Sequence, residues 1–512
     1  MAEIIRDLLA PHAAERPAIL APERPTLGFG ALRELADAVL ASLAAQGIGR
    51  NDRVAIVLPN GPEMATAFVT IASGCTTAPL NPAYRADELD FYMTDLQAKA
   101  LVVPAGADGP AVEVARRHGT TVLRLHTDSA KPAGWFELRP DGDAGAASPK
   151  PIDVAGEDDV ALVLHTSGTT SRPKIVPLLQ RNLAASARHI RTTLALTPDD
   201  RCLNIMPLFH IHGLIAAVLS SLSAGASIYC TPGFNALRFF HWLDDAAPTW
   251  YTAVPTMHQA ILARAERNPE AVARARLRLI RSSSASLPPQ VMQALEATFD
   301  APVIESYGMT EATHQMASSP LPPAPRKPGS VGIAAGPLVR IADQDGRFLD
   351  GNAEGEVVIS GPNVTPGYEA NPDANAKAFF EADGRRWFRT GDQGLLDAEG
   401  YLRITGRLKE IINRGGEKVS PLEVDEVLMD HPAIAQVVTF AMPHAKLGEE
   451  VAAAGVLREG MQADEPAIRS FAATRLADFK VPRRVVILEE IPKGATGKLQ
   501  RIGLAQKLGL GE

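Results

Sequence analysis

Residues Thr166 to Lys174 read TSGTTSRPK, a run in which almost nothing can pack a core. Four hydroxyls, from Thr166, Ser167, Thr169 and Thr170, the unhindered backbone at Gly168, and the cations Arg172 and Lys174 supply the donors and positive charge that a polyphosphate needs. The preceding residues Ala161 to Leu164 read as a short buried strand. The run therefore starts where a strand ends, which is where α/β sheets hold ligands. An ordinary Ser/Thr-rich turn is the competing reading, and the position argues against it. The G-x-x-x-x-G-K-[ST] spacing of the common nucleotide loop is absent.

Alternating elements position this run. Arg53 to Leu58 reads as strand, Met64 to Ser73 as helix, Thr77 to Leu80 as strand, Ala86 to Leu96 as helix and Ala100 to Val103 as strand, the order of a parallel sheet. Gly106 to Lys150, richer in Gly, Ala, Pro and Asp, reads as peripheral and loop-heavy. The Pro-dense LPPAPRKPG from Leu321 marks a break, followed by runs such as GEVVISG and GYLRITG that suggest antiparallel strands with glycine turns, a β-rich lobe over about 321–408. Past Leu408 comes a charged segment, KEIINRGGEKVSP, then a helix with Glu423, Asp425 and Glu426 on an acidic face. Two further strand-like runs follow, Ile434 to Phe440 and Arg484 to Leu488. These suffice for a small α+β domain, 409–512, behind a large one, 1–408.

Bulk properties narrow the class. A chain of 512 residues exceeds what one core normally serves, and 46% hydrophobic with 21% charged residues is globular composition. A net charge of −8 argues against a nucleic-acid surface. Cys75, Cys202 and Cys230 lie far apart without C-x-x-C spacing, so neither a disulfide framework nor a zinc site is indicated. The first residues lack the unbroken apolar stretch of a signal peptide, and no uncharged window of about 18 apolar residues occurs. The expectation is a cytoplasmic protein, monomer or homodimer, with neither nucleic acid nor membrane as partner.

Five segments stand in order: TSGTTSRPK at 166–174, YGMTE at 307–311, RTGD at 389–392, GRLKEIINRGGEKVSP at 406–421 and PKGATGK at 492–498. Together they resemble the adenylate-forming superfamily of acyl-CoA synthetases, nonribosomal adenylation domains and luciferase. The resemblance implies an α/β fold: a large N-terminal domain of two parallel-type sheets with helices plus the β-rich lobe, and a small mobile α+β C-terminal domain. It also implies two half-reactions, in which acid and ATP give acyl-AMP and pyrophosphate, and coenzyme A then displaces AMP.

Residue roles follow from the same resemblance, each with a physical reading beside it. Tyr307 followed by Gly308 suits stacking on adenine, although a lone tyrosine is more often core. Thr310 offers a hydroxyl to the α-phosphate, and Glu311 beside a triphosphate makes sense as a Mg²⁺ ligand. RSSSASLPP at 281–289 matches the adenine loop, with Ser284 and Ala285 presenting backbone and Ser283 beside the substrate. Asp392 would accept from the ribose hydroxyls and Arg407 would fork onto ribose or phosphate oxygens; both also fit surface turns. Lys409 matches the hinge between domains, and Lys498 the ammonium that enters from the small domain to stabilise charge on the α-phosphate. Gly415 and Gly416, read as lying on a strand, would let backbone run beside the pantetheine arm of coenzyme A. Ser171 and Ile175 stand where glycine is common in the family.

The acid pocket implied by the resemblance spans His210 to Gly213 and the residues after Glu311, which here contribute His210, His212, Thr313, His314 and Gln315. Polar walls favour a small polar acid, and imidazoles suit a second carboxylate better than a hydrocarbon tail. The wording of these motifs is most like the oxalate:CoA ligase branch. Alternatives are a coumarate-like or medium-chain acyl-CoA ligase and a stand-alone adenylation domain that loads a carrier protein. The last is disfavoured by Phe209 and His210, where such domains place an aspartate for the substrate amine.

Overall fold

The computed structural model describes residues 4–142, 150–151, 154–166, 173–494 and 498–511. Two sheets of parallel type form the body. The first runs in the order Phe136–Pro140, Thr121–Thr127, Ala100–Pro104, Arg53–Ile56, Thr76–Pro79, Val160–His165 and Ile175–Leu179. Its inner pairs are parallel and both edge pairs antiparallel. The second has nine strands, with a parallel centre that includes Arg201–Asn204, Trp250–Ala253, Leu279–Ser283 and Val303–Met309. Strands such as Ile175–Leu179, Ser227–Cys230 and Trp250–Ala253 are buried along their whole length. That explains why they read as apolar runs without alternation: helices cover both faces of each sheet.

An antiparallel sheet follows, from Leu338–Ala342 to Leu402–Arg407, centred on the long strand Arg385–Leu396. It coincides with the expected β-rich lobe. The last unit has a five-stranded sheet, from Ile412–Arg414 to Arg484–Ile487, with its own apolar clusters around Val424, Val437 and Ile468 and around Phe440, Ile491 and Leu504. The architecture is the expected one of a large N-terminal and a small C-terminal α/β unit.

One expectation is corrected. The described part of Gly106 to Lys150 is peripheral but not loop-heavy: it forms the helix Pro110–Arg117 and two strands, Thr121–Thr127 and Phe136–Pro140, at one edge of the first sheet. The glycines and prolines lie at element ends, while Val112, Val122, Leu123, Leu125 and Phe136 are buried between them. The strand Gly448–Leu457, rich in alanine, adds the centre of the last sheet. No helix among the described residues is long and apolar enough to cross a membrane.

Candidate active site

A cleft of about 420 Å³ lies between the large body and the last unit. It opens beyond the C-terminal ends of three adjacent parallel strands, Trp250–Ala253, Leu279–Ser283 and Val303–Met309, the side of an α/β sheet where the chain turns and leaves donors unpaired. Val254, Ser284 and Tyr307 reach its wall directly from those ends.

On one side, Tyr307 donates its hydroxyl to Asp392 Oδ2 at 2.5 Å, and Arg407 Nε lies 3.1 Å from Asp392 Oδ1. The strands Arg385–Leu396 and Leu402–Arg407 pair Asp392 with Arg407 in register, so the ion pair is fixed by the sheet. Burial raises the Asp392 carboxyl, and Arg407 and the Tyr307 hydroxyl oppose that. Gly308 sits at a bulge where a Cβ would overlap the His314 carbonyl oxygen, so its lack of a side chain serves the approach of the next strand.

Glu311 occupies a short 3₁₀ turn, Thr310–Ala312, and is buried. Its Oε1 accepts from Tyr368 at 2.8 Å, and Lys174 Nζ lies 4.2 Å from the centroid of the same ring. Burial raises the Glu311 carboxyl and lowers the Lys174 ammonium, each partly offset by the other's charge. Lys174 and Thr166 close a hairpin: the Thr166 N–H donates to the Lys174 carbonyl at 3.0 Å, and the Lys174 N–H to Thr166 Oγ1 at 3.2 Å. The predicted phosphate contacts Ser167, Gly168, Thr169 and Thr170 lie outside the described residues, as does Ser171. Ile175 opens the returning strand opposite His165, a β-branched residue in a place that suits it.

Lys498 enters from the last unit. Its carbonyl accepts from the Gly494 N–H at 2.8 Å, and Arg501 nearby donates to Asp425 at 2.6 Å and to the Thr439 carbonyl at 2.8 Å, which anchors the tail. Burial pushes the Lys498 ammonium down to about 8, with Arg407 adding to the fall and Asp392 and Glu311 opposing it. The acidic face of the helix Pro421–Met429 is paired throughout: Glu423 with Lys480, Asp425 with Arg501 and Glu426 with Arg403.

At the deep end, His210 and His314 line the cleft together with Ser284. Burial drives the His210 imidazole down to about 3, with Lys498 contributing, so it is neutral. A π-helical stretch, His212–Leu219, begins beside it, and the backbone N–H of His212 donates to His210 Nδ1 at 3.3 Å. His212 itself is fully buried behind the wall, within 3.0 Å of Ser284 Oγ and 2.6 Å of Thr252 Oγ1.

The structure thus brings together Thr166, Ser284, Ala285, Tyr307, Gly308, Thr310, Glu311, Asp392, Arg407, His210, His314 and Lys498 around one cleft. It does not bring Ser283 there: that hydroxyl is buried and donates to the Ser306 carbonyl at 2.7 Å. Gly415 and Gly416 stand on an exposed hairpin turn between Ile412–Arg414 and Glu417–Val419, and not on a strand, with φ of +59° and +101° that glycine accepts readily. They are absent from the cleft lining. Lys409 lies in the exposed turn that joins the third sheet to the last. Sequence reasoning missed Tyr368, which organises Glu311 across 57 residues. It also missed Arg281, whose signal was a cation inside an otherwise buried strand.

Residues 9–369 match the family described as AMP-binding enzyme, and residues 423–498 its C-terminal domain. The chain is 47% identical over 469 residues to the oxalate–CoA ligase of Arabidopsis thaliana, covering 90% of this chain and 89% of that one. It is 40% identical over 477 residues to the oxalate–CoA ligase of Saccharomyces cerevisiae, covering 89% and 87%. Among solved structures, ATP-bound MatB from Rhodopseudomonas palustris superimposes with a TM-score of 0.87 at 29% identity, covering 99% of both chains. With both family regions present and the lysine of the second reaching the cleft of the first, the chain belongs to the AMP-binding enzyme family and is an AMP-forming acid–CoA ligase.

Proposed function

We propose that the acid is a small dicarboxylate, oxalate, converted to oxalyl-CoA at the expense of ATP. The observation that carries this is the deep end of the cleft, where His314, His210 and Ser284 stand in place of an apolar tunnel. These groups give the deep end a polar wall, which a hydrocarbon tail would leave unsatisfied and a second carboxylate would satisfy. The two relatives named oxalate–CoA ligase support the same reading. A coumarate-like or medium-chain tail would strand these polar groups.

In the first half-reaction a carboxylate oxygen of the acid attacks the α-phosphorus of ATP. The new O–P bond forms as the bond to the bridging oxygen breaks, and pyrophosphate departs. Lys498 meets the negative charge that grows on the α-phosphate, Thr310 donates to the same group, and Arg407 with Asp392 holds the ribose. Tyr307, its hydroxyl tied to Asp392, presents its ring to adenine beside Ser284 and Ala285. Glu311 fits a magnesium ion, because one buried carboxylate plus phosphate oxygens is the donor set that ion takes, and the ion would neutralise phosphate charge. In the second half-reaction the thiol of coenzyme A attacks the acyl carbon and AMP leaves. For that step 409–512 turns about Lys409 and carries the Gly415–Gly416 hairpin toward the cleft. The setting is cytoplasmic, for a monomer or homodimer.

A panel of acids assayed for AMP release tests the proposal. Oxalate should give the highest kcat/KM, ahead of aromatic and medium-chain acids; a preference for a hydrocarbon acid would overturn it.

A further inference from the structure

Arg281 lies in the middle of the strand Leu279–Ser283 and is fully buried, yet no carboxylate pairs with it among the described residues. Such a group is expensive to bury without a partner. Its Nη1 lies 3.4 Å from His212 Nε2, 3.4 Å from His314 Nε2 and 3.5 Å from Thr252 Oγ1; Nη2 lies 3.4 Å from Gln315 Oε1. Nε finds no partner among the described residues. The guanidinium is therefore ringed by acceptors and aimed at the rear of the two imidazoles whose rings meet edge to face at 4.9 Å.

A guanidinium has donors and no acceptor, so a ring nitrogen that faces it must offer a lone pair. We propose that Arg281 is a positioning residue that sets the acid pocket's polarity: it holds His212 and His314 as neutral Nδ1–H tautomers, so that His212 directs its hydrogen to Ser284 on the cleft wall. The idea rests on the small-dianion reading of the pocket and extends it. Two consequences are local. His212 Nδ1–H donates to Ser284 Oγ at 3.0 Å, which leaves the Ser284 hydroxyl hydrogen to point elsewhere, and Ser284 lines the cleft. His314 Nδ1 is buried against Gly308, 2.5 Å from where a Cβ on that residue would lie, so its hydrogen stays inside the wall. The Ser284 hydroxyl then offers a donor to a carboxylate, which when ionised can only accept. Behind it the buried positive charge favours a dianion over a monoanion. The opposite tautomer, with His212 Nε2–H donating to Thr252 Oγ1 at 2.6 Å, would face its hydrogen toward the guanidinium's own donors.

The test uses the full chain with ring-¹⁵N histidine, the signals assigned through His212→Asn and His314→Asn. In the unsubstituted protein both Nδ1 atoms should give pyrrole-type and both Nε2 atoms pyridine-type resonances. A pyrrole-type Nε2 at either histidine overturns the proposal, whatever acid the enzyme uses. Arg281→Met should mix the tautomers and raise KM for oxalate by about tenfold to a hundredfold, with the dissociation constant for ATP unchanged. Arg281→Lys, a donor without an acceptor, should restore the tautomers in part. Equal losses of ATP binding and oxalate use in both variants would instead mark Arg281 as structural and overturn the role. If oxalate proves not to be a substrate while the resonances are as expected, the dianion reading fails and the tautomer assignment stands.

Discussion

Lys498 owes its chemistry to its surroundings: burial beside Arg407 pulls its ammonium down toward neutrality, and Asp392 and Glu311 keep it from falling further. A group with a lowered pKa loses its charge as pH rises through about 8. In the free enzyme, kcat/KM for acyl-AMP formation should decline through that range, and K498R, whose guanidinium keeps its proton, should lack that alkaline limb. An identical limb in both would assign it to another group. Lys498→Ala should slow acyl-AMP formation by roughly 10² to 10³ while thioester formation from supplied acyl-AMP persists. Equal loss in the two halves would contradict the role. His314→Ala should lower kcat/KM for oxalate about tenfold, more than for a monocarboxylate, because it removes a polar group from the deep wall of the cleft and uncovers Arg281 behind it.

The elements divide by how much of their physics is local. Strands buried on both faces and helices such as Ala86–Leu96 were legible because apolar period and end residues agree with the fold. The stretch 106–142 departs from its composition because its glycines and prolines punctuate short elements instead of filling a loop. The cleft was legible where short motifs carry their own chemistry, as in Tyr307, Glu311, Asp392 and Lys498. It was illegible where a side chain acquires meaning from distant neighbours. Tyr368 means nothing until it meets Glu311, and Arg281 reads as a misplaced cation until His212 and His314 close around it. At this scale the hairpin with Gly415 and Gly416 offers a clean test. A Cβ on Gly416 would touch nothing in the present arrangement, so Gly416→Leu costs about 1 kcal/mol of backbone strain and leaves the fold intact. Pyrophosphate exchange should survive in it while thioester formation fails; a normal overall rate would remove the hairpin from the thiol's path.

Across the described residues, the large body and the last unit meet through scattered polar contacts. Gln259 reaches the Ala435 carbonyl at 3.3 Å, Arg267 lies 3.5 Å from Glu459, Gln290 reaches Asp430, Arg403 reaches Glu426 at 3.2 Å, and Ser420 donates to the Thr405 carbonyl. Such an interface is compatible with the reorientation proposed for this unit between the half-reactions. The proposed pivot, the turn at Lys409, is exposed between two sheets. Lys409→Pro, which fixes one dihedral there, should leave acid-dependent pyrophosphate exchange within about threefold and depress the thioester step far more. Losses of equal size in both steps would place the pivot elsewhere.

The account depends on a carboxylate oxygen attacking the α-phosphorus of ATP in the cleft where Lys498 meets Asp392 and Glu311. Isotope transfer tests this most directly. With ¹⁸O-labelled oxalate, ATP and coenzyme A, one labelled oxygen should appear in the phosphate of AMP and none in pyrophosphate. Label in pyrophosphate or inorganic phosphate, or unlabelled AMP alongside oxalyl-CoA formation, would contradict it.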